Sequence, residues 1–126
     1  MKNLILPFCI LLVSCASSST NGVLSPSQLN ENSKNYDGKS VVVEGYLVVQ
    51  VGKSSSLWDS KKRYEQDDEI DHCITLRNSD LLLADLNKIN NTVVKLSGIY
   101  SEDIIGNAIN LDLCNSSGLE ISGLVE

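Results

Sequence analysis

Ser40-Val41-Val42-Val43-Glu44-Gly45-Tyr46-Leu47-Val48-Val49-Gln50-Val51 is the stretch that decides the fold. Val41, Val43, Leu47, Val49 and Val51 share one phase, with Gly45 among them. Val42, Glu44, Tyr46, Val48 and Gln50 share the other. Alternation in a run of β-branched residues predicts a long strand. A glycine at its centre lets the strand bend sharply, as the wall of a small curled barrel requires.

Working outward, Thr92-Val93-Val94-Lys95-Leu96-Ser97-Gly98-Ile99-Tyr100 alternates in the same way. Val94, Leu96, Gly98 and Tyr100 form one face. Shorter strands are expected at Ser54–Asp59, around Leu57 and Trp58, and at Cys73–Arg77. Ala108–Leu113 and Leu119–Val125 complete the sheet. Between the third and fourth strands, Ser79 or Asp80 can cap a helix that runs to Ile89, with Leu82, Leu86 and Ile89 on one face. Before the first strand, Ser25-Pro26-Ser27-Gln28 has the chemistry of a helix start: a serine cap, a proline at the first turn and a glutamine that reaches back. That helix is expected to run to about Lys34, with a turn at Asp37-Gly38. Lys61–Asp71 reads as a charged loop.

The protein is therefore expected to be mainly β: a five- or six-stranded barrel with a short N-terminal helix. A helix between strands three and four resembles the OB-fold. The segments 37–47 and 92–100 are similar to the first and fourth strands of small OB-like bacterial lipoproteins. The likeness covers most of residues 37–125 and rests on topology and glycine placement, with no catalytic signature in it.

The N-terminus reads as an address. Lys2 precedes the apolar run Leu4–Val13, about half the ~20 residues that a membrane-spanning helix needs. Leu12-Val13-Ser14-Cys15 resembles the bacterial lipobox. The resemblance implies cleavage before Cys15, a diacylglycerol on its thiol and an acyl chain such as palmitate on its new amino group. Several acyl chains anchor stably where one is marginal. Ala16, in place of an aspartate, resembles the pattern sent on to the outer membrane, facing the periplasm. The expected organisation is a signal peptide over residues 1–14, a flexible tether over 15–23, rich in Ser, Thr, Asn and Gly, and one domain over 24–126.

Of the four cysteines, Cys9 lies in the signal and Cys15 is the lipid site, so Cys73 and Cys114 remain. An envelope is oxidising and favours their pairing. Both fall on the phase opposite to the apolar residues of their strands, which places them at the edge or outer face of one sheet. A bond there would be worth roughly 4 kcal/mol by chain entropy. The alternative is two reduced thiols. No Cys-x-x-Cys occurs, so a thioredoxin-like role has little support.

Composition narrows the function. The net charge is −6, and −7 once residues 1–14 and their Lys2 are removed. With one tryptophan and an acidic surface, nucleic acid is a poor partner. There is no Gly-x-Ser-x-Gly, and any triad would depend on the single histidine, His72. Gly38-Lys39-Ser40 and Gly52-Lys53-Ser54 resemble the end of a P-loop, but Ser33 and Leu47 stand where its first glycine belongs. Asp67-Asp68-Glu69-Ile70-Asp71-His72 offers oxygen and imidazole ligands, yet its spacing is not that of an EF-hand, and it reads as a solvated acidic loop. No metal or cofactor is expected.

The remaining candidates form one surface. Trp58, the basic Lys61-Lys62-Arg63-Tyr64 and the acidic Asp67 and Asp68 are expected to meet an envelope protein partner. The leading expectation is a non-enzymatic, lipid-anchored binding module. The second is an inhibitor or immunity-type protein that blocks a basic enzyme through its acidic loop. The third, a metal protein or enzyme centred on His72, is the least supported.

Overall fold

The computed structural model describes residues 22–50, 55–66, 70–104 and 114–126. The expected lipobox with Cys15, most of the expected tether, Gly52-Lys53-Ser54, Asp67, Asp68 and the expected strand 108–113 lie outside the described residues.

The fold is mainly β. Five strands, β1 (Ser40–Val48), β2 (Ser55–Trp58), β3 (Cys73–Arg77), β4 (Val93–Ser101) and β5 (Gly118–Val125), close into a barrel in the order β1-β2-β3-β5-β4. All neighbours are antiparallel except β3 and β5. With the helical segment between β3 and β4, this is a small OB-fold-like barrel.

Gly45 does what its place in β1 suggests. Residues 40–46 of β1 pair with β4, and residues 46–48 pair with β2. The strand crosses from one wall to the next at the glycine. A Cβ there would lie 2.5 Å from the Trp58 carbonyl oxygen and 2.9 Å from Leu57 Cγ, so only a hydrogen lets the strands approach. On the edge of β1 that β2 leaves open, Leu24 forms a parallel bridge to Val43. Leu24 N–H donates to Val42 O at 2.9 Å, and Glu44 N–H donates to Leu24 O at 2.8 Å.

The core holds the inward phases of β1 and β4, as the alternation predicts: Val41, Val43, Leu47, Val94, Leu96 and Tyr100 are buried, with Leu57, Ile74 and Leu119 opposite. Leu29 and Leu82 enter the same core from outside the sheet. Helix α1 (Pro26–Glu31) starts with the expected capping box. Ser25 N–H donates to Gln28 Oε1 at 2.8 Å, and Gln28 N–H donates to Ser25 Oγ at 3.2 Å. It stops at Asn32, and a separate turn, α2 (Ser33–Tyr36), follows.

Two helical expectations change. Part of the expected loop 61–71 is helix α3 (Lys61–Gln66): Ser60 caps it, accepting from Arg63 N–H at 3.2 Å. The segment before β4 is a 3-10 helix, Ser79–Asp85, and then α4 (Leu86–Ile89). Its N-cap is Asn78, in the left-handed conformation, rather than Ser79 or Asp80. Leu82 is buried, and Leu86 and Ile89 are half-buried, so the expected face is kept.

Candidate functional site

The second half of β1 breaks the simple inside–outside rule. Tyr46 and Val48 face outward, yet are buried, because a small second core covers the wall of β1, β2 and β3. Register builds it: Tyr46 lies opposite Trp58, and Trp58 opposite Cys73, which puts three side chains in one outer row. Cys73 is bonded to Cys114, with Cα atoms 5.5 Å apart. The disulfide thus sits on the outer face, where the phase of Cys73 in β3 put it, and ties residue 114 over the row.

Helix α3 covers the rest through one residue. The Tyr64 ring lies 5.4 Å from the Trp58 ring, edge to face at 69°, and 5.8 Å from the Tyr46 ring. Trp58 is 2% exposed, and its Nε1–H donates to Ser56 Oγ at 2.9 Å. It therefore supports the surface from beneath. What the surface presents is the helix itself: Lys61, Lys62 and Glu65 are exposed, and Arg63 and Tyr64 half-buried. Lys61 Nζ stands 3.9 Å from Glu65 Oε2, one turn along. That pair is exposed and contributes little to stability. The structure brings Trp58, Lys61, Lys62, Arg63 and Tyr64 together.

A polar cluster holds the neighbouring chain in place. Asp59 follows β2, and His72 precedes β3. Ser27 N–H, in the first turn of α1, donates to Asp59 Oδ1 at 2.9 Å, and Ser27 Oγ–H donates to Asp59 Oδ2. His72 Nδ1 lies 2.8 Å from Asp59 Oδ2 and 2.8 Å from Ser27 Oγ. A serine, a histidine and an aspartate side by side invite comparison with a catalytic triad. The geometry differs in the decisive respect. A triad sets the carboxylate and the hydroxyl on opposite ring nitrogens, and here both meet Nδ1. The cluster is a clamp between α1 and the ends of β2 and β3. The sequence marks His72 only as the single histidine, and links neither Asp59 nor Ser27 to it. Each sits in a different segment, and no local pattern links them.

Asn30, one turn on in α1, extends the clamp. Its Nδ2 donates to the carbonyls of Asp71 (2.8 Å) and Cys73 (3.0 Å). Its Oδ1 accepts from Ser117 Oγ (2.6 Å) and Tyr100 Oη (3.3 Å). Burial of Tyr100 pushes its phenol above the usual value of 10.0; the Ser117 hydrogen bond works the other way, and Glu102 and Asp37 add to the rise. Among the described residues, no group of three His, Cys, Asp or Glu side chains comes together to hold a metal ion.

No known protein family, curated protein or solved structure matches this chain.

Proposed function

We propose that this protein is a lipid-anchored interaction module of a bacterial envelope, on the outer membrane and facing the periplasm, that acts without enzymatic chemistry. Acyl chains on Cys15 hold it at the membrane. A protein partner with an acidic contact site is taken by α3, through Lys61, Lys62 and Arg63. Anchoring confines the barrel to a thin layer, which raises its effective concentration toward membrane-bound partners.

One observation carries the binding half of the reading: α3 is fixed on the wall of β1, β2 and β3 by Tyr64 against Trp58 and Tyr46. A six-residue helix is not stable alone in water. Its burial against an aromatic row and a disulfide makes three cations a pre-ordered unit, which lowers the entropic cost of binding. The Cys73–Cys114 bond supports an oxidising location. The lipobox supports the anchor.

The test is crosslinking and capture of the full-length lipidated protein from envelope membranes, beside Cys15→Ala and a Lys61→Glu/Lys62→Glu variant. The expected result is one dominant stoichiometric partner, weakened in both variants. Equal capture by the charge-reversed protein would refute the role of α3. No protein partner at all would refute the reading as a whole.

A further inference from the structure

The Ser27–Asp59–His72 clamp holds an imidazole whose hydrogens can be placed from its neighbours. The carboxylate of Asp59 only accepts hydrogen bonds. The one hydroxyl proton of Ser27 goes to Asp59 Oδ2. His72 Nδ1 lies 2.8 Å from both Asp59 Oδ2 and Ser27 Oγ. A bare Nδ1 would set its lone pair against those of both oxygens. Nδ1 therefore carries a hydrogen whatever the charge on the ring, and the proton that comes and goes with pH is the one on Nε2.

Gaining that proton turns a neutral hydrogen bond into a charged one, and charged bonds are roughly twice as strong. The side chains of His72 and Asp59 are 20% and 19% exposed, so water screens the pair only in part. Among the described residues, the elements that meet at the clamp bring these other charges. Asp71, next to His72 in the 3-10 turn Ile70–His72, is exposed, and so is Glu31 on α1. On α3, Lys61 pairs with Glu65, Lys62 is exposed and Arg63 is half-buried. Asp59 is the charge in contact with the ring, and it sets the sign of the effect.

The clamp also fixes where α3 starts. Asp59 N–H donates to His72 O at 2.9 Å, so the two residues are joined through main chain as well as side chain. Ser60 follows and caps α3: its Oγ accepts from Arg63 N–H and its carbonyl from Tyr64 N–H, each at 3.2 Å. The helix is thus fastened twice, at its first turn through the clamp and in its middle by the Tyr64 ring. Ser27 ties the same point to α1.

We infer that the clamp is an acid-strengthened latch: as pH falls from 8 to 5.5, the contact between Asp59 and His72 becomes a charged bond that holds α1 and the first turn of α3 more firmly. As regulation of partner binding it rests on the reading of α3 proposed above; as a property of the fold it does not. A histidine bonded to a carboxylate when folded, and solvated when unfolded, holds its proton more tightly in the folded chain. Its contribution is complete below the ordinary imidazole value of about 6.5, and is lost as pH rises through the higher folded value.

The chain has one histidine, so its imidazole is followed directly by proton NMR in the unsubstituted protein. Its ring signals should titrate at higher pH in the folded protein than in urea. Urea unfolding should give a folding constant roughly five-fold larger at pH 5.5 than at pH 8. His72→Gln can still donate to Asp59 but cannot charge, and should remove that difference. Hydrogen exchange at Leu29, Arg63 and Tyr64, corrected for the intrinsic rate, should slow by a similar factor on acidification in the parent and not in His72→Gln. A histidine that titrates at the same or lower pH when folded overturns the inference, as does an equal pH effect in His72→Gln. Slower exchange in α1 without a change in α3 overturns the link to the partner site.

Capture of the envelope partner by the full-length protein, at both pH values, separates this inference from the reading beneath it. The parent should capture several-fold more at pH 5.5, and equal capture overturns the regulatory role. A Lys61→Glu/Lys62→Glu protein that captures as well as the parent refutes α3 as the contact, and with it the regulation, while the titration of His72 still decides the latch.

Discussion

Replacing Tyr64 by alanine should free α3 from the barrel while leaving the barrel closed. Tyr64 is half-buried between two aromatic rings. Removing about half of a tyrosine's burial costs roughly 1–1.5 kcal/mol, and losing its two aromatic pairs a further ~1 kcal/mol. The expected loss is therefore about 2–2.5 kcal/mol, out of the 5–15 kcal/mol of an ordinary domain. The protein should remain folded but weakened. The chain supplies its own probe, because Trp58 is the only tryptophan and is 2% exposed under Tyr64. In native Tyr64→Ala its emission should move to longer wavelength, and acrylamide should quench it several-fold more readily. Urea unfolding followed by the same emission measures the stability loss. Tyr64→Phe keeps the ring and should behave much like the parent. A Tyr64→Ala protein within 0.5 kcal/mol of the parent, with Trp58 still shielded, would refute the claim that this side chain fixes the helix.

Other perturbations read other parts of the structure. Cys73→Ala/Cys114→Ala releases a crosslink with a sequence separation of 41, and should cost roughly 4 kcal/mol, lowering Tm by about 15–30 °C in calorimetry; a drop of only a few degrees would show that the outer row holds without the bond. Asp59→Ala removes the acceptor shared by Ser27 and His72 and should cost about 1–3 kcal/mol, with hydrogen exchange rising in α1 before the strands; unchanged exchange there would contradict the clamp. Tyr100 makes stability fall in alkali: its phenol titrates higher in the folded state than unfolded, so its contribution is complete below pH 10 and is lost as pH rises through the higher folded value. A urea series across pH 8–11 should show the decline, and Tyr100→Phe should flatten it.

The strands β1 and β4 were legible because two-residue periodicity survives wherever one face is buried and the other wet. The same logic placed Cys73 on the outside, whereas the strand expected to carry Cys114 lies outside the described residues. It failed at Tyr46 and Val48, whose outward faces are covered by an element read as loop. For α3 the local signal was weak. Ser60 is a good cap, and Lys61, Lys62, Arg63, Glu65 and Gln66 favour helix, but nothing in their order says that Tyr64 would find Trp58. The Ser27–Asp59–His72 clamp was invisible for a different reason. Its members come from segments 13 to 45 residues apart, and only the closed barrel brings them together. In the candidate site the residue types were visible in advance, and the roles were not: Trp58 lies beneath the surface that it was expected to form.

The last strand pairs with both β3 and β4, running parallel to one and antiparallel to the other. Residues 118–125 are thus the keystone of the ring. Until they have emerged from the ribosome, β3 and β4 each present a row of unsatisfied amides and carbonyls, and no shorter version of the domain can shut. Closure of the barrel must wait for β5, with the slow search that distant strand pairing imposes. A nascent chain of this kind stays open for as long as β5 is withheld, and a premature stop ahead of Gly118 should yield insoluble material rather than a weakened domain.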